Sequence, residues 1–191
     1  MIKAGKVAAI LLAAGQSLRF GGSDKLLAKV DGEPLLLHAS RRIMELKPAR
    51  CIAVCSDAQG AAASLLATLG FAVVFNPHPE RGLSSSLARG IAEAAQGPSE
   101  AALICLADMP FISLRHLQAL LARFDGGHAP IVASAREGIP MPPALFARSM
   151  FERLQQATGD HGGRKLLAGA RLIEAPASQL ADIDLPDDLR R

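Results

Sequence analysis

A chain of 191 residues, half of them apolar, is long enough to bury one sizeable core. Trp and Tyr are absent, and a net charge of +3 is carried by scattered Lys and Arg; this rules against a base-stacking or nucleic-acid surface and leaves an anionic small molecule as the natural partner. No apolar stretch approaches the ~20 residues of a membrane span, so the expectation is a cytoplasmic protein without nucleic-acid or membrane partners.

In chain order, short apolar runs alternate with helical patterns. VAAILL (7–12) reads as a buried strand, although basic residues before an apolar run also give the amino terminus a faint likeness to a signal peptide. A loop with three glycines, Arg19 and Lys25 follows. PLLLHASRRIMEL (34–46) has helical spacing, with Pro34 suited to a first turn. CIAVCS (51–56) is a second strand, AQGAAASLLATLG (58–70) a helix closed by Gly70, and FAVVF (71–75) a third strand. SSSLARGIAEAAQG (84–97) predicts a helix with Ser84 or Ser85 at its cap. AALICLA (101–107) is a fourth strand, SLRHLQALLARF (113–124) a helix, and IVASA (131–135) a fifth strand. Beyond residue 136 the pattern loosens: MPPALF carries too many prolines for a central strand, FARSMFERLQQATG looks helical, and RLIEA suggests a short strand.

Continuous rather than alternating apolar runs mean strands covered on both faces, and their alternation with helices means a mostly parallel sheet. The fold expected is a single α/β domain, an open, Rossmann-like sheet with helices on both faces. Ligands of such sheets bind at the carboxyl ends of strands near a switch in strand order. The segments that matter are therefore 13–25, 76–86 and 108–113. The three cysteines make no disulfide framework. Cys51 and Cys55 lie on one strand with Cα atoms ~13 Å apart, beyond the ~7 Å limit of a disulfide. All three read as small buried apolar residues. His38 and His116 fall within helices and read as structural or exposed, and no Cys or His pattern supports zinc.

The first loop has the means to hold phosphate: glycine backbone NH groups, the planar fork of Arg19 and the point charge of Lys25. It is neither a P-loop nor a dinucleotide fingerprint, since Gly15 is followed by Gln16-Ser17-Leu18. Asp108 directly follows a buried strand. Magnesium takes one or two carboxylates plus substrate phosphates, which suits it, but an Asp before Pro110 also suits a plain turn.

The run LAAGQSLRFGGSDKLL resembles the amino-terminal signature of nucleotidyltransferases that activate sugars and cofactors, and in this form is most similar to the MobA-like family and its molybdenum cofactor cytidylyltransferases. The guanylyltransferases of the family usually carry a second glycine where Ala14 stands. Four further blocks are similar in family order: NPHPERGLSSSLARGI (76–91), LICLADMPFIS (103–113), TGDHGGRKLL (158–167) and DIDLPDDL (182–189). The resemblance implies a nucleotide-binding half over about 1–113 and an acceptor-binding half over about 114–191. It implies transfer of CMP from CTP to molybdenum-molybdopterin, with a molybdenum hydroxylase as client. The implied catalytic residues are Arg19, Lys25 and Asp108. Leu12, Ala13, Ala14, Gly15, Asn76, Ser84 and Ser86 are implied to contact the nucleotide, and Asp160 and His161 the acceptor. Mg2+ is implied on Asp108 with Asp184, or alternatively Asp182, as second ligand. One stretch departs: EGIPMPPALF (137–146) has Met141-Pro142 where the family usually shows Gly-His or Gly-Asn before Pro, and proline lacks an NH and side-chain donors. GTP or ATP as donor, a sugar phosphate as acceptor, and a non-catalytic cofactor chaperone are the alternatives.

Overall fold

The computed structural model describes residues 1–15, 24–157, 165–185 and 188. Its elements are β1 (Val7–Ala13), β2 (Lys29–Val30), β3 (Glu33–Pro34), α1 (Leu35–Leu46), β4 (Arg50–Cys55), α2 (Ala61–Thr68), β5 (Ala72–Phe75), α3 (Leu83–Ala95), β6 (Ala101–Leu106), α4 (Leu114–Arg123), β7 (Ile131–Arg136), β8 (Ile139–Ala147), α5 (Phe151–Gln155) and β9 (Arg171–Glu174). Seven strands form one sheet in the order β5-β4-β1-β6-β8-β7-β9. All run the same way except β8, which is antiparallel to both β6 and β7.

Strand β1 is buried along its whole length, and its alternation divides the core in two. Val7, Ala9, Leu11 and Ala13 face a layer of α1, α2 and α4, through side chains such as Leu36, Leu66 and Leu117. Ala8, Ile10, Leu12 and Ala14 face α3 and α5, through Ile91 and Leu154. Helices on both faces leave β1 no solvated side, which is why its sequence is continuously apolar. From β1 the chain builds outward to β4 and β5, then crosses back to place β6 on the other flank of β1. The strand order therefore reverses between β1 and β6, and the crevice expected of such a reversal lies at their carboxyl ends.

Three expectations need correction. MPPALF lies within β8, and Ala144–Ala147 of that strand pair with β6 on one side and, through Ala144–Phe146, with β7 on the other. The prolines are tolerated because they precede the stretch shared with β6: there β8 has only β7 beside it, and Pro142 and Pro143, joined by a cis peptide bond, sit at a register shift opposite Ala133/Ser134. Of FARSMFERLQQATG, Phe146 and Ala147 close β8, and among the described residues the helix that follows is a short 3-10 turn, Arg148–Met150, running into α5. Helix α3 begins at Leu83 and its N-cap is Gly82 at φ +83°, not a serine. The hairpin of β2 and β3 was not anticipated, although Asp31-Gly32, both at positive φ, is the turn signal it needs. The three cysteines are unpaired, and Cys51 is only half-buried.

Candidate active site

A cavity of about 320 Å³ opens at the carboxyl ends of β1 and β6. It is lined by the end of β1 and the turn beyond it, Leu12 to Gly15, by Lys25 and Asp108, and by Glu80, Leu83 and Ser86. A Cβ built on Gly15 would meet no described atom within 4 Å, so at this position the missing side chain keeps space open rather than admitting a neighbour.

Lys25 opens a 3-10 turn, Lys25–Leu27, whose cap is Asp24: its carboxylate accepts from the Leu26 NH at 2.9 Å. Leu26 is buried in the core and so fixes the direction of the neighbouring lysine. The Lys25 ammonium donates to Asp108 Oδ2 at 2.9 Å and to Asp184 Oδ1 at 3.1 Å. Lys25 is 13% exposed, Asp108 23% and Asp184 48%. Burial by itself would push the Lys25 ammonium down; the charge and hydrogen bond of Asp108, then those of Asp184, outweigh it and hold the group above its ordinary value.

Asp184 comes to this point from the far end of the chain. Leu180 and Ile183 are buried in the same core as β1 and β6. The Ile183 NH donates to the Asp108 carbonyl at 2.9 Å, so the last segment is tied directly to the loop after β6. Ser113, the cap of α4, adds a bond from its hydroxyl to Gln179 at 2.9 Å. Asp182 lies close by: burial, then the charges of Asp184 and Asp108, push its carboxyl up against its backbone hydrogen bond and Lys25. Of the two candidates for a carboxylate beside Asp108, it is Asp184 that shares the Lys25 ammonium.

The loop after β5 is held by Asn76. Its side-chain NH2 donates to Ser85 Oγ and Ser86 Oγ, both at 2.9 Å, and its Oδ1 accepts from the His78 NH at 3.0 Å. With both hydrogens engaged, buried Asn76 shapes the wall behind Ser86. Asn76 and Ser84 are not among the described residues that line the cavity, whereas Leu12, Ala13, Ala14, Gly15 and Ser86 are. Arg19, Asp160 and His161 lie outside the described residues. Leu26, Pro79, Glu80, Gly82, Leu83 and Leu106 also line the cavity and were not singled out from sequence. Gly82-Leu83 belongs to the serine-rich segment 76–91, but nothing in a linear pattern tells which of its residues face inward.

The donors here are hard oxygens. Asp108 Oδ1 is buried with no hydrogen-bond partner among the described residues, an arrangement that is costly unless a ligand satisfies it. Two carboxylates with one such open oxygen fit a magnesium-type ion, which keeps waters and draws its remaining ligands from substrate phosphate. Among the described residues no group of three or more His, Cys, Asp and Glu is arranged for a metal. The thiols are no alternative centre: burial pushes Cys51 and Cys55 up to about 11 and Cys105 up to about 12.

A cation and two carboxylates thus stand beside a cavity at the switch point of an open α/β sheet, the place where proteins of this class bind their ligands. Residues 9–177 match the MobA-like NTP transferase domain, and the chain belongs to that family of nucleotidyltransferases. The purine catabolism protein PucB of Bacillus subtilis is 33% identical over 115 residues, 57% of this chain and 55% of that protein. A probable molybdenum cofactor guanylyltransferase of Haloferax mediterranei is 28% identical over 142 residues, 74% of this chain and 66% of that one. The chain thus spans between half and two thirds of the length of these relatives. In fold it is similar to Rv0371c of Mycobacterium tuberculosis H37Rv, at a TM-score of 0.80 and 23% identity over 98% of this chain and 97% of that one. Rv0371c has also been solved in complex with manganese. Among the described residues no helix is long and apolar enough to cross a membrane.

Proposed function

We propose that the protein transfers CMP from CTP to the phosphate of molybdenum-molybdopterin, releasing pyrophosphate and forming the cytosine dinucleotide cofactor. The observation that carries a nucleotidyl transfer is the contact of Lys25 with Asp108 and Asp184 beside the cavity that ends β1. Choice of acceptor rests on the family and on relatives named for the molybdenum cofactor. Choice of CTP rests on Ala14, where guanylyltransferases usually carry glycine.

An oxygen of the acceptor phosphate attacks the α-phosphorus of the triphosphate, and the bond from that phosphorus to the β-phosphate oxygen breaks. The nucleophile is already ionised near neutral pH, so the chemistry needs no covalent enzyme intermediate and no general base. What opposes it is charge, since both reactants are anions. Lys25, the NH groups that follow β1 and, by family resemblance, Arg19 oppose that charge. Asp108 and Asp184 would hold a divalent ion, magnesium by this reading, which when bound neutralises phosphate oxygens as charge builds in the transition state. The sheet keeps the two halves of the reaction in line, with residues up to about 113 taking the nucleotide and the later ones, including Asp160 and His161, taking the acceptor.

Pyrophosphate release with molybdenum cofactor and each of CTP, GTP and ATP tests the reading. Turnover highest with CTP is expected. Asp108→Asn should reduce it at least ~100-fold while leaving the circular dichroism unchanged; a variant that retains turnover removes Asp108 from the mechanism. A second donor has an observation in its favour. Glu80 lines the cavity, and a carboxylate accepts from the N1 and N2 hydrogens of guanine but from only the N4 amino group of cytosine. GTP outrunning CTP in the same assay would select that reading. Tight binding of the cofactor without turnover on any triphosphate would make the protein a carrier.

A further inference from the structure

Lys25 stands at the point where the two carboxylates converge. Its ammonium touches one oxygen of Asp108 and one of Asp184, and the side chain is almost withdrawn from solvent. We propose that Lys25 is a built-in stand-in for the divalent ion: without nucleotide its ammonium holds the Asp108–Asp184 position and keeps metal affinity low, and a triphosphate in the cavity draws it away and opens the pair to the metal. This rests on the divalent-ion reading of the site.

Three features carry it. An ammonium supplies one positive charge to two carboxylates, so a divalent ion is the better neutraliser once the lysine has somewhere else to go. Asp108 Oδ1 has no partner among the described residues, so the ammonium engages one oxygen of that carboxylate and leaves the other for a ligand. Lys25 also lines the cavity beside Ala14 and Gly15. Phosphate oxygens bound there lie within the sweep of a flexible four-carbon stem, and moving to them exchanges one anionic partner for another at little cost. The two ligands are then coupled, and by linkage each raises the affinity for the other to the same degree. Free metal binds poorly to the empty enzyme, and the ion enters productively with its nucleotide.

Mn2+ binding to the nucleotide-free protein, read from the electron paramagnetic resonance of the unbound ion, tests this without turnover. Lys25→Met is expected to bind Mn2+ at least ~10-fold more tightly than wild type, and the gain should vanish in Lys25→Met/Asp108→Asn. Binding by Lys25→Met that is unchanged or weaker overturns the proposal while leaving a metal on Asp108. A gain that survives loss of Asp108 overturns it and the metal reading together. Should Lys25→Met fail to fold, wild type itself decides. Acylation of Lys25 by an amine-reactive reagent, followed by mass spectrometry, should speed up without nucleotide at the high Mn2+ concentrations where the resonance shows the ion bound to wild type, and a rate unchanged by that bound ion overturns the proposal.

Discussion

The ring of His116 is hydrogen-bonded at Nε2 to Ser134 Oγ at 2.8 Å, and that hydroxyl lies 2.7 Å from the carbonyl of Pro143. A hydroxyl has one hydrogen, and a carbonyl can only accept, so Ser134 donates to Pro143 and His116 donates from Nε2. The chain of bonds ties α4 to β7 and to the proline stretch of β8, and both side chains are buried. Ser134→Ala strips two buried groups of their partner and should cost about 1–3 kcal/mol, read from the urea midpoint. Burial holds the His116 ring below its ordinary value of about 6.5. The unfolded chain therefore binds the proton first, and the stability this gives is full above about 6.5 and declines as pH falls toward the folded value. Melting temperature should drop on acidification from pH 7.5 to 5.5, and His116→Gln should flatten that drop. Asp182, whose carboxyl is pushed up, has the opposite slope, but in the more acid carboxylate range. Sequence marked His116 only as structural or exposed; its partners lie on other elements, and no local pattern names them.

At the scale of elements, α3 lies close to the sheet because residue 90 is glycine. A Cβ there would stand 2.5 Å from Ile10 Cγ2 and 3.1 Å from Val54 Cγ2. Alanine would favour the helix by about 1 kcal/mol. The clash dominates, since Cγ2 sits directly on the branched Cβ of a fully buried strand residue and cannot swing aside. Gly90→Ala is expected to lose about 1–2 kcal/mol net in urea denaturation. The other end of α3 is closed by Arg148, whose guanidinium donates to the carbonyls of Ala95, Gly97 and Ser99. Helix periodicity in LARGIAEAA was readable, but the reason for its glycine and the origin of its cap were not, because both depend on neighbours from β1, β4 and the end of β8.

For the molecule as a whole, the site is an assembly of chain segments far apart. Lys25 is separated by 83 residues from Asp108 and by 159 from Asp184. The last of these is held by the buried side chain and backbone NH of Ile183. Ile183→Ala should cost about 2–5 kcal/mol and, by loosening Asp184 as well, weaken Mn2+ binding to a degree that a core substitution of equal cost on α2, such as Leu66→Ala, does not. Comparing the two variants in one metal titration checks this.

The amino-acid sequence alone determined the alternation of buried strands and helices, the parallel character of the sheet and the loops after its strands as the place for a site. Those features are written locally, in apolar runs without polar alternation and in the glycines, prolines and charges that end them. Only the tertiary structure decided that β8 enters the sheet despite its prolines, that Asn76 faces its own loop, and that Asp184 rather than Asp182 meets the Lys25 ammonium. Each of these is an encounter between segments distant in the chain, and its outcome follows from which hydrogen bonds and buried contacts the folded arrangement can satisfy.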